Sequence, residues 1–292
     1  MVEFICETTV NHLGNFHILA KMALLADKMG CDWIRVPRKD VYNFYSKEKL
    51  ASEQHTQLPY GRQYGQWRDM FEFTLAEFQM FDIICRRMKL PWFSTIMDWP
   101  SLEFFQQYFH LPAFKIASCN ARNEPFLKKL AESVPTNKLI VASVGGSTLQ
   151  EIEKLIKIFP EHDMYLFHCI AEYPTAPENL RLGNITELVN RFESDRITIG
   201  YSGHDITIGP SVVAVKMGAQ VVEQHFTLQR HDLFPRANVG LEPPEFAKLI
   251  KVIREDNTFD KYVNELPDKA FQTKFGMSKL EEPFLKSQEY KV

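Results

Sequence analysis

The hydrophobic pattern of residues 196–227 predicts a strand, a helix and a second strand. The two outer segments are short, apolar and rich in β-branched residues, which is typical of buried strands. In the middle segment apolar residues recur at helical spacing, with Asp205 as the expected N-cap and Gly218 as the stop signal. Such a unit holds its strands parallel, so the C-terminal ends of both strands lie at the same edge of the sheet.

The same alternation runs through the rest of the chain. Further strands are predicted at residues 2–6, 32–36, 92–95, 113–117, 138–142 and 164–168, and helices at 16–29, 74–88, 101–109, 124–133, 148–159, 178–192 and 243–253. Eight strands alternating with helices over about 250 residues predict an α/β fold, the (β/α)8 TIM barrel. An open doubly wound sheet also fits the alternation, but no Gly-x-Gly-x-x-Gly motif follows the first strand.

Composition narrows the class of protein. Of 292 residues, 45% are hydrophobic, which is enough for a large core, and the formal charge is −3 from 34 basic and 37 acidic side chains. Without a basic block we expect no nucleic-acid partner, and without an apolar run of about 20 residues we expect no membrane span. Five widely spaced cysteines and an N-terminus that enters a strand directly indicate free thiols and a cytoplasmic protein.

Polar side chains stand at the predicted C-terminal ends of the strands, where TIM barrels carry their chemistry. They are Glu7, Arg35, Thr95, Lys115, Ser118, Ser143, His168, Ser202, His204 and His225. Cations, hydroxyls and backbone N–H groups in one mouth suit a phosphorylated anion, although each hydroxyl alone also suits a strand cap or turn. Lys115 lies within an apolar strand, where an unpaired ammonium would be costly, so a functional role is favoured for it.

Two histidines close adjacent predicted strands. His204 and His225 are 21 residues apart and stand at equivalent strand ends, so they could share a ligand. Imidazole suits Mn, Fe, Co and Zn, which makes a divalent metal site one interpretation. The other is a pair of hydrogen-bonded structural histidines.

Short motifs occur in a fixed order along the chain. They are Glu7-x-x-Val10-Asn11-His12, Ser94-Thr95, Phe114-Lys115-Ile116-Ala117-Ser118, Ser143-x-Gly145, Glu172-Tyr173-Pro174, Gly200-Tyr201-Ser202-x-His204 and Glu223-x-His225-Phe226-Thr227. Any one of them is weak evidence. The ordered set, over roughly residues 3–253, resembles the N-acetylneuraminate (sialic acid) synthase family of barrels that condense phosphoenolpyruvate (PEP).

The resemblance implies a transferase that joins PEP to a sugar aldehyde, releases phosphate and forms a 2-keto-3-deoxy sugar acid for carbohydrate or polysaccharide biosynthesis. It implies His204 and His225 as ligands of a divalent metal, Mn²⁺ first with Co²⁺ or Mg²⁺ as alternatives, and Glu7 beside the reacting carbons. The implied PEP-binding residues are Arg35, Thr95, Lys115, Ser118, Ser143 and Ser202, and the implied acceptor-binding positions are Tyr173, Asn120 and Arg236.

The departures from the family pattern fall mainly on the acceptor. Arg35-x-Pro37 replaces a Lys-x-Gln, Val144 removes one hydroxyl, and Asn120 stands where sialic acid synthases can carry a carboxylate. Arg still holds a phosphate, although not with the geometry of Lys. We therefore expect an acceptor other than N-acetylmannosamine.

The domain prediction is a synthase barrel at 1–256 and a helical or extended tail at 257–292, in place of the antifreeze-like domain with which the family usually continues. In the family, that domain lends an Arg to the neighbouring subunit's sugar site. A homodimer is therefore one alternative for the oligomeric state of this chain. Residues 38–67, rich in Tyr, Gln and charge, are expected to shape the acceptor pocket, with a packing lid or subunit contact as the alternative.

Two other functions remain open at this point. One is an aldol-type barrel that uses a different 2-keto acid donor. The other is a catalytically altered barrel that binds a sugar phosphate or a partner protein without turnover, because a fold alone does not determine function.

Overall fold

The computed structural model describes residues 1–54, 61–230, 236–256, 258–288 and 290. Eight parallel strands form a closed barrel: β1 (Glu3–Glu7), β2 (Trp33–Arg35), β3 (Trp92–Ile96), β4 (Ala113–Ile116), β5 (Leu139–Ser143), β6 (Met164–His168), β7 (Ile197–Gly203) and β8 (Val221–His225). Strand β8 pairs with β1, which an open doubly wound sheet would not do. The predicted (β/α)8 TIM barrel is therefore confirmed.

Helices alternate with the strands and cover the outside of the barrel. In the described residues they are α1 (Phe16–Met29), α2 (Val41–Phe44), α3 (Lys47–Ala51), α4 (Tyr64–Asp69), α5 (Leu75–Met88), α6 (Trp99–Tyr108), α7 (Glu124–Ser133), α8 (Leu149–Ile158), α9 (Gly183–Phe192), α10 (Gly209–Lys216), α11 (Pro243–Lys251), α12 (Phe259–Glu265) and α13 (Glu282–Ser287). Capping boxes at Thr74 and Thr148 begin α5 and α8. Among these helices, none combines the length and hydropathy that crossing a lipid bilayer requires.

The floor of the barrel is a packed apolar layer. Ile5, Phe93, Val141 and Phe167 belong to one buried cluster inside the strands. Gly200 of β7 makes room for this layer, because a Cβ there would lie 2.1 Å from the Phe167 ring. Because side chains fill the barrel interior at this level, a ligand inside the barrel would enter from its C-terminal mouth.

The predicted starts of two helices are wrong: α9, predicted from residue 178, begins at Gly183, and α10 begins later than its expected cap. Asp205 does not cap α10, which begins at Gly209 without a side-chain cap. The buried Asp205 carboxylate instead accepts hydrogen bonds from Tyr201 Oη at 2.9 Å and from Gln224 Nε2 at 3.3 Å. Burial raises the pKa of Asp205 to about 7. Partners on two strands satisfy this carboxylate, so the local helix-start signal was misleading.

Two segments lie beyond the regular barrel. The segment after β2 contains α2, α3 and α4, while residues 55–60 of the predicted 38–67 insertion lie outside the described part. The C-terminal residues contain α12, a 3-10 turn at Asp268–Phe271 and α13. Residue 257, where the tail was predicted to begin, is also outside the described part, so the domain boundary stays a prediction.

Candidate active site

The C-terminal mouth of the barrel holds a cavity of about 330 Å³. Parallel strands bring their C-terminal ends to one face, so residues far apart in sequence line the same space. The cavity collects the predicted site residues Glu7, Arg35, Thr95, Lys115, Ser118, Ser143, Tyr173, Ser202, His204, His225 and Arg236. Their roles stay predictions, but their proximity agrees with a common ligand.

Asn120 is placed differently. Its side chain is fully buried, and its Oδ1 accepts a hydrogen bond from the backbone N–H of Tyr290 at 2.9 Å. The cavity wall at this point is formed by Ser118 and Cys119. In this structure Asn120 therefore holds the C-terminal segment, and its acceptor role stays a prediction.

A buried carboxylate, Glu223, organises the cavity floor. It forms an ion pair with Lys115, accepts a hydrogen bond from Ser202 Oγ at 2.9 Å, and lies 3.0 Å from Arg35 Nε. Arg35 also pairs with Glu7 and donates to Thr95. The carboxylate that pairs with the buried Lys115 ammonium is therefore that of Glu223.

Glu223 was not among the predicted site residues, although the sequence contains a signal for it. Glu223 and His225 are two residues apart on one strand, and alternation in a strand places such residues on the same face. His225 was predicted to face the mouth, so Glu223 had to face the barrel interior. A buried carboxylate requires a cationic partner, and Lys115 was the interior cation already identified.

The ionisation of this floor follows from its burial and its pairing. Burial, and then the charge of Arg35, lower the pKa of Lys115 to about 8. Burial alone would raise the pKa of Glu223, but the charges of Arg35 and Lys115 hold it at about 2. The cations Lys115 and Arg35 thus face Glu223 and Glu7, and Arg38 and Arg236 add positive charge to the cavity wall.

The two predicted metal ligands are neutral and adjacent. The ring centroids of His204 and His225 are 5.1 Å apart. Burial lowers the pKa of His204 to about 4, and burial followed by the charge of His204 lowers the pKa of His225 well below its usual value. His204 Nδ1 lies 2.5 Å from the carbonyl oxygen of Ile170, which requires a proton on Nδ1 and leaves the Nε2 lone pair free.

His225 offers the complementary observation. Its Nε2 is 3.3 Å from Glu7 Oε2, and its buried Nδ1 has no hydrogen-bond partner. Neutral imidazoles with free lone pairs are the ligand form that divalent transition metals need. Within the described residues, no group of three or more His, Cys, Asp or Glu side chains could hold a metal ion. The two neutral rings fit the predicted two-histidine site, whose metal stays a prediction.

An aromatic wall stands beside the histidines. The Tyr173 ring centroid is 4.1 Å from that of His204 and 4.7 Å from that of Phe284, which comes from α13. The Arg236 guanidinium lies over Tyr173 at 4.7 Å. The predicted acceptor residues Tyr173 and Arg236 are thus in mutual contact, and the C-terminal segment completes their wall.

Lys39 lines the cavity, although it was not among the predicted site residues. Burial, and then the charge of Arg68, lower its pKa to about 7. Its Nζ donates hydrogen bonds at 3.0 Å to Tyr45 Oη and to Gln288 Oε1. No local signal distinguishes Lys39 from the other basic residues after β2, because only folding brings Gln288 to it.

Known proteins resemble this chain over most of its length. The sequence profile of the NeuB family matches residues 22–263. The N-acetylneuraminate-9-phosphate synthase of Drosophila melanogaster is 32% identical over 255 residues, which is 86% of this chain and 67% of that protein. The N,N'-diacetyllegionaminic acid synthase of Campylobacter jejuni is 30% identical over 257 residues, 86% of this chain and 75% of that protein.

A solved structure supports the fold. The N-acetylneuraminic acid (sialic acid) synthetase from Leptospira borgpetersenii superposes with a TM-score of 0.74 at 23% identity, covering 97% of this chain and 90% of that chain. At this identity the likeness supports the barrel architecture, while the sequence relatives carry the argument about family.

Proposed function

The chain belongs to the NeuB family, and on this premise we propose that it condenses PEP with an open-chain sugar aldehyde to give a 2-keto-3-deoxy sugar acid and inorganic phosphate. The observation that carries the proposal is one cavity that joins a buried Arg35–Lys115 pair to two neutral histidines. The first pair suits an anionic donor, and the second suits a metal that activates an aldehyde.

The bond changes assign a task to each part of the cavity. C3 of PEP attacks the aldehyde carbon and forms the new C–C bond, and the aldehyde oxygen takes up a proton to become a hydroxyl. Water then adds to C2, the bond between C2 and the phosphate oxygen breaks, and the keto acid remains. Arg35, Lys115 and the nearby hydroxyls of Thr95, Ser118, Ser143 and Ser202 hold the negative charge of donor and leaving phosphate.

His204 and His225 would hold a divalent cation, for which we propose Mn²⁺, and that cation supplies polarisation of the aldehyde oxygen. Glu7 stands between the two parts of the cavity, paired with Arg35 and 3.3 Å from His225. These contacts support a role for Glu7 in which it orients Arg35 toward the donor and stands beside the reacting carbons.

Phosphate release tests the proposed function directly. The full chain with PEP, a divalent metal and a panel of aldoses is expected to release phosphate in stoichiometric proportion to a new 2-keto acid. PEP binding without phosphate release from any aldose would instead indicate a barrel that binds without turnover. The panel includes N-acetylmannosamine and its 6-phosphate as well as aldoses without an N-acyl group, because the acceptor contacts depart from the usual pattern.

Donor binding gives a second prediction. A hydrogen bond to a charged group contributes about 1.5–3 kcal/mol, so Lys115→Ala is expected to weaken PEP binding by about ten- to a hundredfold. Arg35→Lys is expected to cost less than Arg35→Ala, because it keeps the charge. Titration calorimetry of PEP into the folded variants measures both, with the exposed Lys128→Ala as the control.

A thermal melt distinguishes donor binding from a purely structural role. Lys115 pairs with Glu223, so Lys115→Ala is also expected to lower the melting temperature. A lowered melting temperature with unaltered PEP affinity would remove Lys115 from the donor site.

A further inference from the structure

The C-terminal segment, described at residues 278–288 and 290, contributes directly to the cavity. Phe284 and Gln288 line it together with residues from the strand ends. These two side chains come from α13 and the residue that follows it, far in sequence from the barrel strands. The mouth is therefore shaped in part by the chain's own C-terminal segment.

The first part of this segment is firmly attached to the barrel. Glu281 is fully buried, and its carboxylate accepts hydrogen bonds from the backbone N–H groups of Ala171 at 3.1 Å and Ser278 at 3.0 Å. Leu285 is also buried, against the Cα hydrogens of Gly146, where a Cβ would lie 2.5 Å from its Cδ1. A buried carboxylate is costly unless it is hydrogen-bonded or paired, so these two hydrogen bonds and Arg181, 3.7 Å from the Glu281 carboxylate, hold the segment against the barrel.

A second attachment lies beyond the cavity residues. The backbone N–H of Tyr290 donates to Asn120 Oδ1 at 2.9 Å, and its carbonyl accepts from Asn123 Nδ2 at 2.7 Å. The Tyr290 ring stacks on Phe44 of α2 with a centroid separation of 6.0 Å. Anchors on both sides of Phe284 and Gln288 fix these side chains in the cavity wall before a ligand binds, which reduces the entropic cost of binding.

The two side chains contact the part of the wall that is predicted to bind the acceptor. The Phe284 ring lies 4.7 Å from the Tyr173 ring and 5.6 Å from the Arg236 guanidinium, and Gln288 accepts from Lys39. Arg35 and Lys115, which are predicted to bind PEP, lie deeper in the cavity and form ion pairs with Glu7 and Glu223. An aromatic face with adjacent amide and cationic groups suits a ligand that has both C–H surface and hydroxyls, such as a sugar.

We propose that Phe284 and Gln288 are specificity-determining residues that bind the sugar acceptor, supplied in cis by the C-terminal segment. Asn120 and Asn123 are positioning residues, because they act through Tyr290. The inference rests on the proposed condensation for the identity of the acceptor, and it adds the residues that select it.

Steady-state kinetics of the full chain separate acceptor from donor effects. Phe284→Ala is expected to raise the KM for the aldose at least about tenfold, as for truncation of an aromatic residue that a bound ligand covers, while the KM for PEP changes less than about twofold. Gln288→Ala and Asn123→Ala are expected to shift the aldose KM in the same direction by smaller factors. Leu280→Ala is the matched control, because Leu280 lies on the same segment but is 62% exposed.

The result that overturns the proposal is an aldose KM in Phe284→Ala equal to that of Leu280→Ala, or an equal rise in both KM values. If the wild type releases no phosphate with any aldose, the proposed condensation fails, and titration calorimetry with each aldose of the same panel decides the present inference. Binding of one of these aldoses by the wild type that weakens at least about tenfold in Phe284→Ala supports it. Equal binding by both proteins, or no binding of any aldose of the panel to the wild type, overturns it.

Discussion

Replacing either cavity histidine, by His204→Ala or His225→Ala, is expected to remove bound divalent metal and to lower the rate of phosphate release by about a thousandfold or more. A metal that polarises a carbonyl supplies several kcal/mol of transition-state stabilisation, and each 1.36 kcal/mol changes the rate about tenfold. Both rings are neutral. Each has one nitrogen that has no hydrogen-bond partner in the protein and can bind a metal. With only two protein ligands expected, loss of one leaves too little affinity to retain the ion.

Metal content after dialysis measures this effect independently of turnover. The purified full chain is loaded with Mn²⁺, Co²⁺ or Zn²⁺, and wild type is compared with the two variants. His168→Ala is the matched control, because His168 is also a buried strand-end histidine, but its Nε2 is held by the Leu180 carbonyl at 2.8 Å. Equal metal in wild type, His204→Ala and His225→Ala would refute the two-histidine site.

The second large effect is expected at Glu223. Glu223→Ala should lower the free energy of unfolding by about 3–5 kcal/mol, as removal of one partner from a buried ion pair does. The substitution leaves the buried Lys115 ammonium without its carboxylate and removes one of the two carboxylates that face Arg35. Denaturant unfolding followed by circular dichroism measures the change.

Two further variants test the reason for that loss. The double variant Glu223→Met with Lys115→Met removes both charges, so it should recover much of the stability while PEP binding stays weak. Glu187→Ala breaks a half-exposed ion pair with Arg191 and should cost less than about 1 kcal/mol. If Glu223→Ala proves as mild as Glu187→Ala, Glu223 does not organise the cavity floor.

The barrel itself could be predicted from the sequence because its signals are local. Short runs rich in β-branched residues alternate eight times with segments whose apolar residues recur at helical spacing. Each predicted strand lies within a few residues of the observed strand. Parallel strands in a closed barrel end at one face, so the residues at those ends could be named as neighbours without knowledge of their distances. Glu7, Lys115, His204 and His225 were therefore predicted to share one mouth before any distance between them was known.

The partners of those residues were decided only by the tertiary structure. Lys115 pairs with Glu223, which is 108 residues away in the sequence. The hydrogen bond between Asn120 and Tyr290 joins residues 170 apart, and that between Lys39 and Gln288 joins residues 249 apart. Alternation along β8 indicates that Glu223 faces the barrel interior. The contacts of Asn120 and Lys39 depend instead on barrel closure and on the path of the C-terminal segment, neither of which has a periodic signature in the sequence. The sequence alone determined a barrel with a cationic, two-histidine mouth. Folding determined the contact between Glu223 and Lys115, and it brought Phe284 and Gln288 into the cavity wall. Both results depend on packing between residues that are far apart in the sequence.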